Sequence, residues 1–100
     1  MKSLNFQVLL ALADGERHGW ALVRELQERG ADGPILPGNF YRTLRGMLAE
    51  GLIEESKNEE RRTYFRLTKE GREAAKAEAR KLEALVAESR ARKLLSARGR

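Results

Sequence analysis

Both prolines of this chain, Pro34 and Pro37, fall in one short stretch, and glycines at positions 15, 30, 33, 38 and 51 interrupt its first half at close intervals. Proline lacks the amide donor and clashes with the preceding turn, and glycine stops helices through its backbone freedom, so these residues rule out long helices there. Three short helical patterns lie between the stops. In residues 4–13 (LNFQVLLALA), Leu4, Val8, Leu9 and Leu12 share a face, with Ser3 placed to cap the start and Asp14-Gly15 to end it. From Gly19 to Arg29, the apolar positions Trp20, Val23 and Leu26 recur beside Ala21 and Leu22, and Gly30 closes the pattern. Ala31 to Pro37 reads as a connector. Pro37-Gly38 opens the third segment, in which Phe40, Leu44, Met47 and Leu48 form an apolar face opposite Asn39, Arg42, Thr43 and Arg45, with Gly51 as the stop. Trp20 and Phe40, at helical spacing, read as core anchors.

After Gly51 the period changes. Leu52 to Lys57 has strand character, and in Arg61 to Leu67 the residues Thr63, Phe65 and Leu67 alternate with Arg62, Tyr64 and Arg66. Asn58 to Arg61 is expected as the hairpin loop. A lone hairpin is unstable in water, so this one must rest on the helices through Ile53, Phe65 and Leu67. Thr68 then looks like an N-cap, and from Lys69 to about Ala97 only Gly71 disturbs a composition of Ala, Glu, Lys, Arg and Leu. A helix over 69–97 would extend about 43 Å, well beyond a body of this size. Its narrow stripe of Ala75, Ala79, Leu82, Leu85 and Val86, with Leu94-Leu95 further on, calls for a second copy of the chain. The order of elements predicts a mainly α fold with a small β-hairpin: a winged helix-turn-helix over 1–68, a C-terminal dimerisation helix over 69–97, and a short basic end at 98–100.

Composition removes several function classes. The 100 residues contain no cysteine and one histidine, which leaves no disulfide, no thiolate nucleophile and no zinc ligand set, and no cofactor is expected. The carboxylates sit in solvated helical stretches without an acid–base pair or a phosphate-binding loop, so an enzyme is not expected. No apolar run is long enough for a membrane span, and Met1-Lys2-Ser3 leads straight into an amphipathic segment, which predicts a cytoplasmic protein with no membrane partner. The net charge of +5 is not spread evenly. All 15 acidic residues lie at or before Glu88, alongside 15 of the 20 basic ones, so the whole excess falls in Ser89 to Arg100. That tail is either a contact for phosphate or a solvated helix end whose cations favour the macrodipole.

In a winged helix-turn-helix the third helix enters the major groove of DNA. On the helix spanning 38–50, Asn39 and Arg42 are the expected base contacts, because Asn pairs bidentately with adenine and Arg with guanine. Tyr41 can bond a phosphate or pad the edge of the core, and Thr43 and Arg45 are candidates for phosphate. Arg61 and Arg62 in the hairpin, and Lys57 as a weaker candidate, can reach the backbone, although Glu59 and Glu60 oppose this. His18 reads as a structural cap or turn residue. A winged helix that binds protein instead of DNA is the alternative, which the neutrality of residues 1–88 permits.

The motifs His18-Gly19-Trp20, Pro37-Gly38-Asn39-Phe40-Tyr41, Gly51-Leu52-Ile53 and Arg62 through Arg72 (RTYFRLTKEGR), in this order, resemble the PadR family of bacterial transcriptional regulators over residues 4–88. The resemblance implies a homodimer, held by the C-terminal helix with the first helix, that represses genes from a pseudo-palindromic operator and responds to a small hydrophobic effector. The corresponding interface positions are Leu4, Val8, Leu82, Leu85 and Val86. The single C-terminal helix resembles the compact subgroup of that family. Two departures stand out: Asn39-Phe40-Tyr41-Arg42 replaces the family's common Thr-Leu-Tyr-Pro, which implies a different operator, and residues 69–97 hold no aromatic on which a flat effector could stack.

Overall fold

A computed structural model describes residues 1–30 and 33–96. Its elements are α1 (Ser3–Leu12), β1 (Arg17–His18), α2 (Gly19–Arg29), α3 (Pro37–Ala49), β2 (Ile53–Glu59), β3 (Arg62–Leu67) and α4 (Lys69–Ala91). The three short helices enclose one core, made by Val8, Leu9 and Leu12 of α1, Leu22, Val23 and Leu26 of α2, and Phe40, Leu44 and Met47 of α3. Ile53 and Phe65 of the sheet complete it, with Leu67 packed at its edge, so the hairpin rests on the helices as its period requires. The mainly α winged helix-turn-helix expected from the order of elements is the fold observed.

Helix ends follow local chemistry with one exception. Lys2, not Ser3, occupies the N-cap of α1; Ser3 lies in the first turn, where its hydroxyl accepts a 3.1 Å bond from Gln7 Nε2. Gly30 ends α2 in the left-handed region, its N–H bonded to the Leu26 carbonyl at 3.1 Å. At the end of α3, Gly51 N–H bonds to Leu48 O at 3.1 Å and Leu52 N–H to Met47 O at 3.0 Å, the paired bonds of a Schellman motif with glycine at its left-handed position (φ 77°). That turn aims the chain out of α3 and into β2.

Two features of the sheet depart from the expectation. The hairpin loop is not Asn58 to Arg61: the ladder continues through Asn58↔Thr63 and Glu59↔Arg62, leaving the two-residue turn Glu60-Arg61. Both turn residues have positive φ, 52° and 65°, the conformation whose twist matches that of the strands. The hairpin is also not alone, because β1 pairs with β3 through Arg17↔Phe65 and His18↔Tyr64, giving the antiparallel order β1-β3-β2. Two residues are too few to show a strand period, but they cover the second edge of β3.

The phase of α2 corrects the assignment of Trp20. With Gly19, Leu22, Val23 and Leu26 turned inward, Trp20 falls on the flank and is 57% exposed. Val8 moves the other way. It is fully enclosed by its own protomer, which removes it from any surface that a second copy could touch.

The start of α4 is joined to the end of α3 at very short range. Thr68 caps α4, accepting from Gly71 N–H at 2.9 Å, and the same hydroxyl donates to Gly51 O at 2.5 Å. Thr68 N–H bonds to Leu52 O at 3.2 Å. A Cβ on Gly71 would stand 1.8 Å from that Leu52 carbonyl oxygen, so only glycine fits. α4 ends at Ala91, earlier than the expected 97: Arg92 caps it, Lys93 turns with φ 64°, and Leu94 N–H bonds back to Ser89 O at 2.8 Å. Leu94 and Leu95 thereby leave the helical stripe. Ala97 and the basic end at 98–100 lie outside the described residues. Among the described residues, no helix is long and apolar enough to cross a membrane. Gly71→Ala is expected to cost about 2 kcal/mol or more and to lower the Tm by about 10 °C, read by circular dichroism; an unchanged Tm would contradict the close approach.

Candidate nucleic-acid interface

Burying Phe40, Leu44 and Met47 dictates which side chains α3 turns outward. Asn39, Arg42 and Arg45 are exposed, and Thr43 is half-buried. Asn39 and Arg42 are held together: Asn39 Oδ1 accepts from Arg42 Nη1 at 3.3 Å, a bond that does not use the Asn amide N–H groups or the rest of the guanidinium fork. The Thr43 hydroxyl donates to Asn39 O at 3.0 Å, so its proton is already used along the helix. Tyr41 packs edge-on to Phe40, with ring centroids 5.6 Å apart, and its ring lies close over Gly19 at the start of α2.

The expected contact residues divide between two sides of α3. Asn39, Arg42 and Thr43 line a groove of about 870 Å³ shared with Lys2 and Asn5 of the α1 end. Tyr41 and Arg45 instead face a cleft of about 350 Å³ between α3, the start of α2 and the hairpin, where Arg61 and Arg62 form the opposite wall. Trp20 stands at its edge and Glu55 also lines it.

Pairing separates the cations into two groups. Arg17 and Arg29 lie against Glu25, Arg24 against Glu28, and Arg66 against Glu54 at 2.7 Å. Lys57 is ion-paired to Glu16 at 3.1 Å and Glu59 at 3.3 Å and sits 4.7 Å from the centre of the Tyr64 ring, so its charge is neutralised within the fold and it is not a free phosphate ligand. Arg42, Arg45, Arg61 and Arg62, by contrast, have no carboxylate within ion-pair distance among the described residues. All four border α3 or the turn of the hairpin. These four guanidinium groups are available to phosphate, although the carboxylates of Glu50 and Glu55, also without ion pairs among the described residues, line the same two hollows.

The wing is fastened by a clasp that residue patterning did not reveal. A bulge between Glu55 and Lys57 shifts the β2 register, and Ser56 beside it donates to Glu16 Oε2 at 2.7 Å while Lys57 reaches the other carboxylate oxygen. The Ser56 hydroxyl, then Lys57, hold the Glu16 carboxyl below its ordinary pKa; Glu16, then Glu59, hold Lys57 above its own. His18 is a cap, as its position at the start of a helix suggests: its Nδ1 accepts from Ala21 N–H at 3.1 Å.

The sequence profile described as the transcriptional regulator PadR-like family matches residues 8–77. The chain belongs to that family. No curated protein matches it in sequence. Solved structures share its fold. The RosR protein of H. salinarum is 25% identical, with a TM-score of 0.71 over 91% of this chain and 94% of that one. A PadR family transcription regulator from Clostridium difficile R20291 is 18% identical, with a TM-score of 0.77 over 89% and 96%. Bacillus subtilis PadR in complex with operator DNA is 20% identical, with a TM-score of 0.69 over 76% of this chain and 46% of that one.

The clasp gives this PadR-like chain a defined pH response. A carboxyl held low in the fold adds stability above the ordinary carboxylate range, which is lost as pH falls through the lowered value. An amine held high adds stability below the ordinary lysine range, lost as pH rises through the raised value. On acidification the Tm of the native chain is therefore expected to fall more steeply than that of Glu16→Gln; parallel curves would mean that the clasp adds no stability.

Proposed function

We propose that this chain is a sequence-specific, duplex-DNA-binding transcriptional regulator that acts as a homodimeric repressor at a pseudo-palindromic operator. The observation that carries the proposal is the segregation of cations: Arg42, Arg45, Arg61 and Arg62 stand without carboxylate partners on α3 and the hairpin, while most other cations of the winged-helix body are paired. Membership of a regulator family and the likeness to a PadR bound to operator DNA support the same reading. Asn39 and Arg42 read bases, Arg45, Arg61 and Arg62 hold phosphates, and Tyr41 pads the joint with α2. Arg90, near the end of α4, adds a sequence-independent attraction.

Dimerisation is assigned to α4. Leu82, Leu85 and Val86 are exposed along its outer stripe; on α1, Leu10 is 44% exposed and Leu4 is half-buried. An exposed apolar stripe on a helix of about 35 Å is costly in water, and a second copy covers it. A small hydrophobic effector is expected to act through this dimer.

Selecting bound duplexes from a random pool tests the reading as a whole. A two-fold-symmetric consensus with salt-dependent affinity is expected; salt-independent binding, or no consensus, favours a protein-interaction module instead. Arg42→Ala should relax one base position per half-site, at a cost of about 1–3 kcal/mol in discrimination, whereas Arg90→Ala should weaken all duplexes alike. Unaltered preference in Arg42→Ala would remove α3 from the groove. Leu85→Glu is expected to sediment as a monomer, and an unchanged mass would take this stripe out of the interface.

A further inference from the structure

The cleft between the start of α2 and the hairpin contains two hydrogen-bond donors that point at one another. His18 Nδ1 accepts the Ala21 N–H, so its lone pair is committed there and the proton of the neutral imidazole is carried by Nε2. Nε2 lies 3.4 Å from Arg62 Nη1. Both atoms then carry hydrogen, and no hydrogen bond joins them; a single acceptor placed between them would serve both. Glu55, which lines the same cleft, forms no ion pair among the described residues, and neither His18 nor Arg62 reaches it. Arg45 and Arg61 add two further unpaired guanidinium groups, and the first turn of α2 holds no acidic residue to oppose an anion. At the edge stands Trp20, more than half exposed, the only tryptophan of the chain.

We propose that this cleft binds one backbone phosphate of duplex DNA with its deoxyribose: the phosphate oxygen bridges His18 Nε2–H and Arg62, and the Trp20 ring packs on the sugar. The proposal rests on the duplex-binding reading above and extends it to a contact at the second helix. A phosphate oxygen supplies the missing acceptor and neutralises the surrounding guanidinium charge, and a sugar offers the flat apolar surface that an exposed indole lacks. The contact carries no sequence information. It fixes how deeply α3 sits in the groove.

The test uses the full chain and a duplex selected as described above. Because Trp20 is the only tryptophan, its emission reports on this cleft directly, and it is expected to change on saturation with duplex. His18→Asn keeps a good N-cap acceptor but loses the Nε2 donor, and should bind all duplexes about tenfold more weakly. Trp20→Ala should lose about fivefold with an unchanged dependence on salt, since the ring releases no counterion, whereas Arg62→Ala should lower the salt slope by about one. Methylphosphonate linkages introduced one at a time give a check independent of variant stability: one neutralised position should weaken the native chain and leave His18→Asn unaffected. If the native chain binds duplex but Trp20 emission, both affinities and the methylphosphonate response are unchanged, the proposal is overturned while the duplex-binding reading stands. If the native chain binds no duplex, the reading beneath it fails as well.

Discussion

The contact of Gly71 with the Leu52 carbonyl is the constraint on which the arrangement of the molecule depends. At that point the end of α3, the base of the hairpin and the start of α4 meet, within reach of a single threonine hydroxyl that caps one helix while donating to the carbonyl of Gly51. The wing cannot move relative to α3 without breaking the Schellman turn at Gly51 and Leu52. Nor can α4 change its exit angle without driving its first turn into Leu52. One close approach thus sets both the position of the wing beside the recognition helix and the direction of the helix assigned to dimerisation, the two angles from which the spacing of half-sites would follow.

Electrostatics in this chain is a matter of arrangement more than of total. Acids and bases are equal in number up to Glu88, yet the fold neutralises cations selectively. Glu16, Glu25, Glu28 and Glu54 each hold a cation, and Lys57 is clasped twice. Among the described residues of the winged-helix body, Arg42, Arg45, Arg61 and Arg62 remain without ion pairs at the recognition helix and the turn of the wing; on α4, Lys69, Arg72, Arg80 and Lys81 are without them as well. The wing itself carries a cost: Glu60 and Arg61 sit in the left-handed region, where residues other than glycine lose about 1–2 kcal/mol each. A sequence with Asn-Gly in that turn would be less strained but would lack the arginine.

Much of the architecture was legible in the residues because it rests on local chemistry. Glycine and proline stops, the i, i+4, i+7 stripe of Phe40, Leu44 and Met47, the period-two alternation around Phe65 and the Thr68 cap each depend on a few neighbours in the chain, and each stands where the pattern puts it. What failed depended on partners distant in sequence. β1 consists of two residues that are strand only because β3 lies beside them. Spacing alone puts Trp20 inward, but the phase of α2 is decided by which side meets α1 and α3, and that side carries Leu22. Lys57 looked like a free cation until Glu16, forty-one positions earlier, was brought against it.

By itself, then, the sequence determined the order of the four helices and the hairpin, the identity of most of the core and the helix that presents Asn39, Arg42 and Arg45, since these follow from periodicity, capping and the conformational limits of glycine and proline. Only the tertiary structure decided which charges stay free, which of the contact residues share a cleft, and that His18 and Arg62 face each other as two donors. Those properties belong to pairs of groups far apart along the chain, and distance through space, not position in sequence, sets whether a charge is neutralised or a proton has somewhere to go.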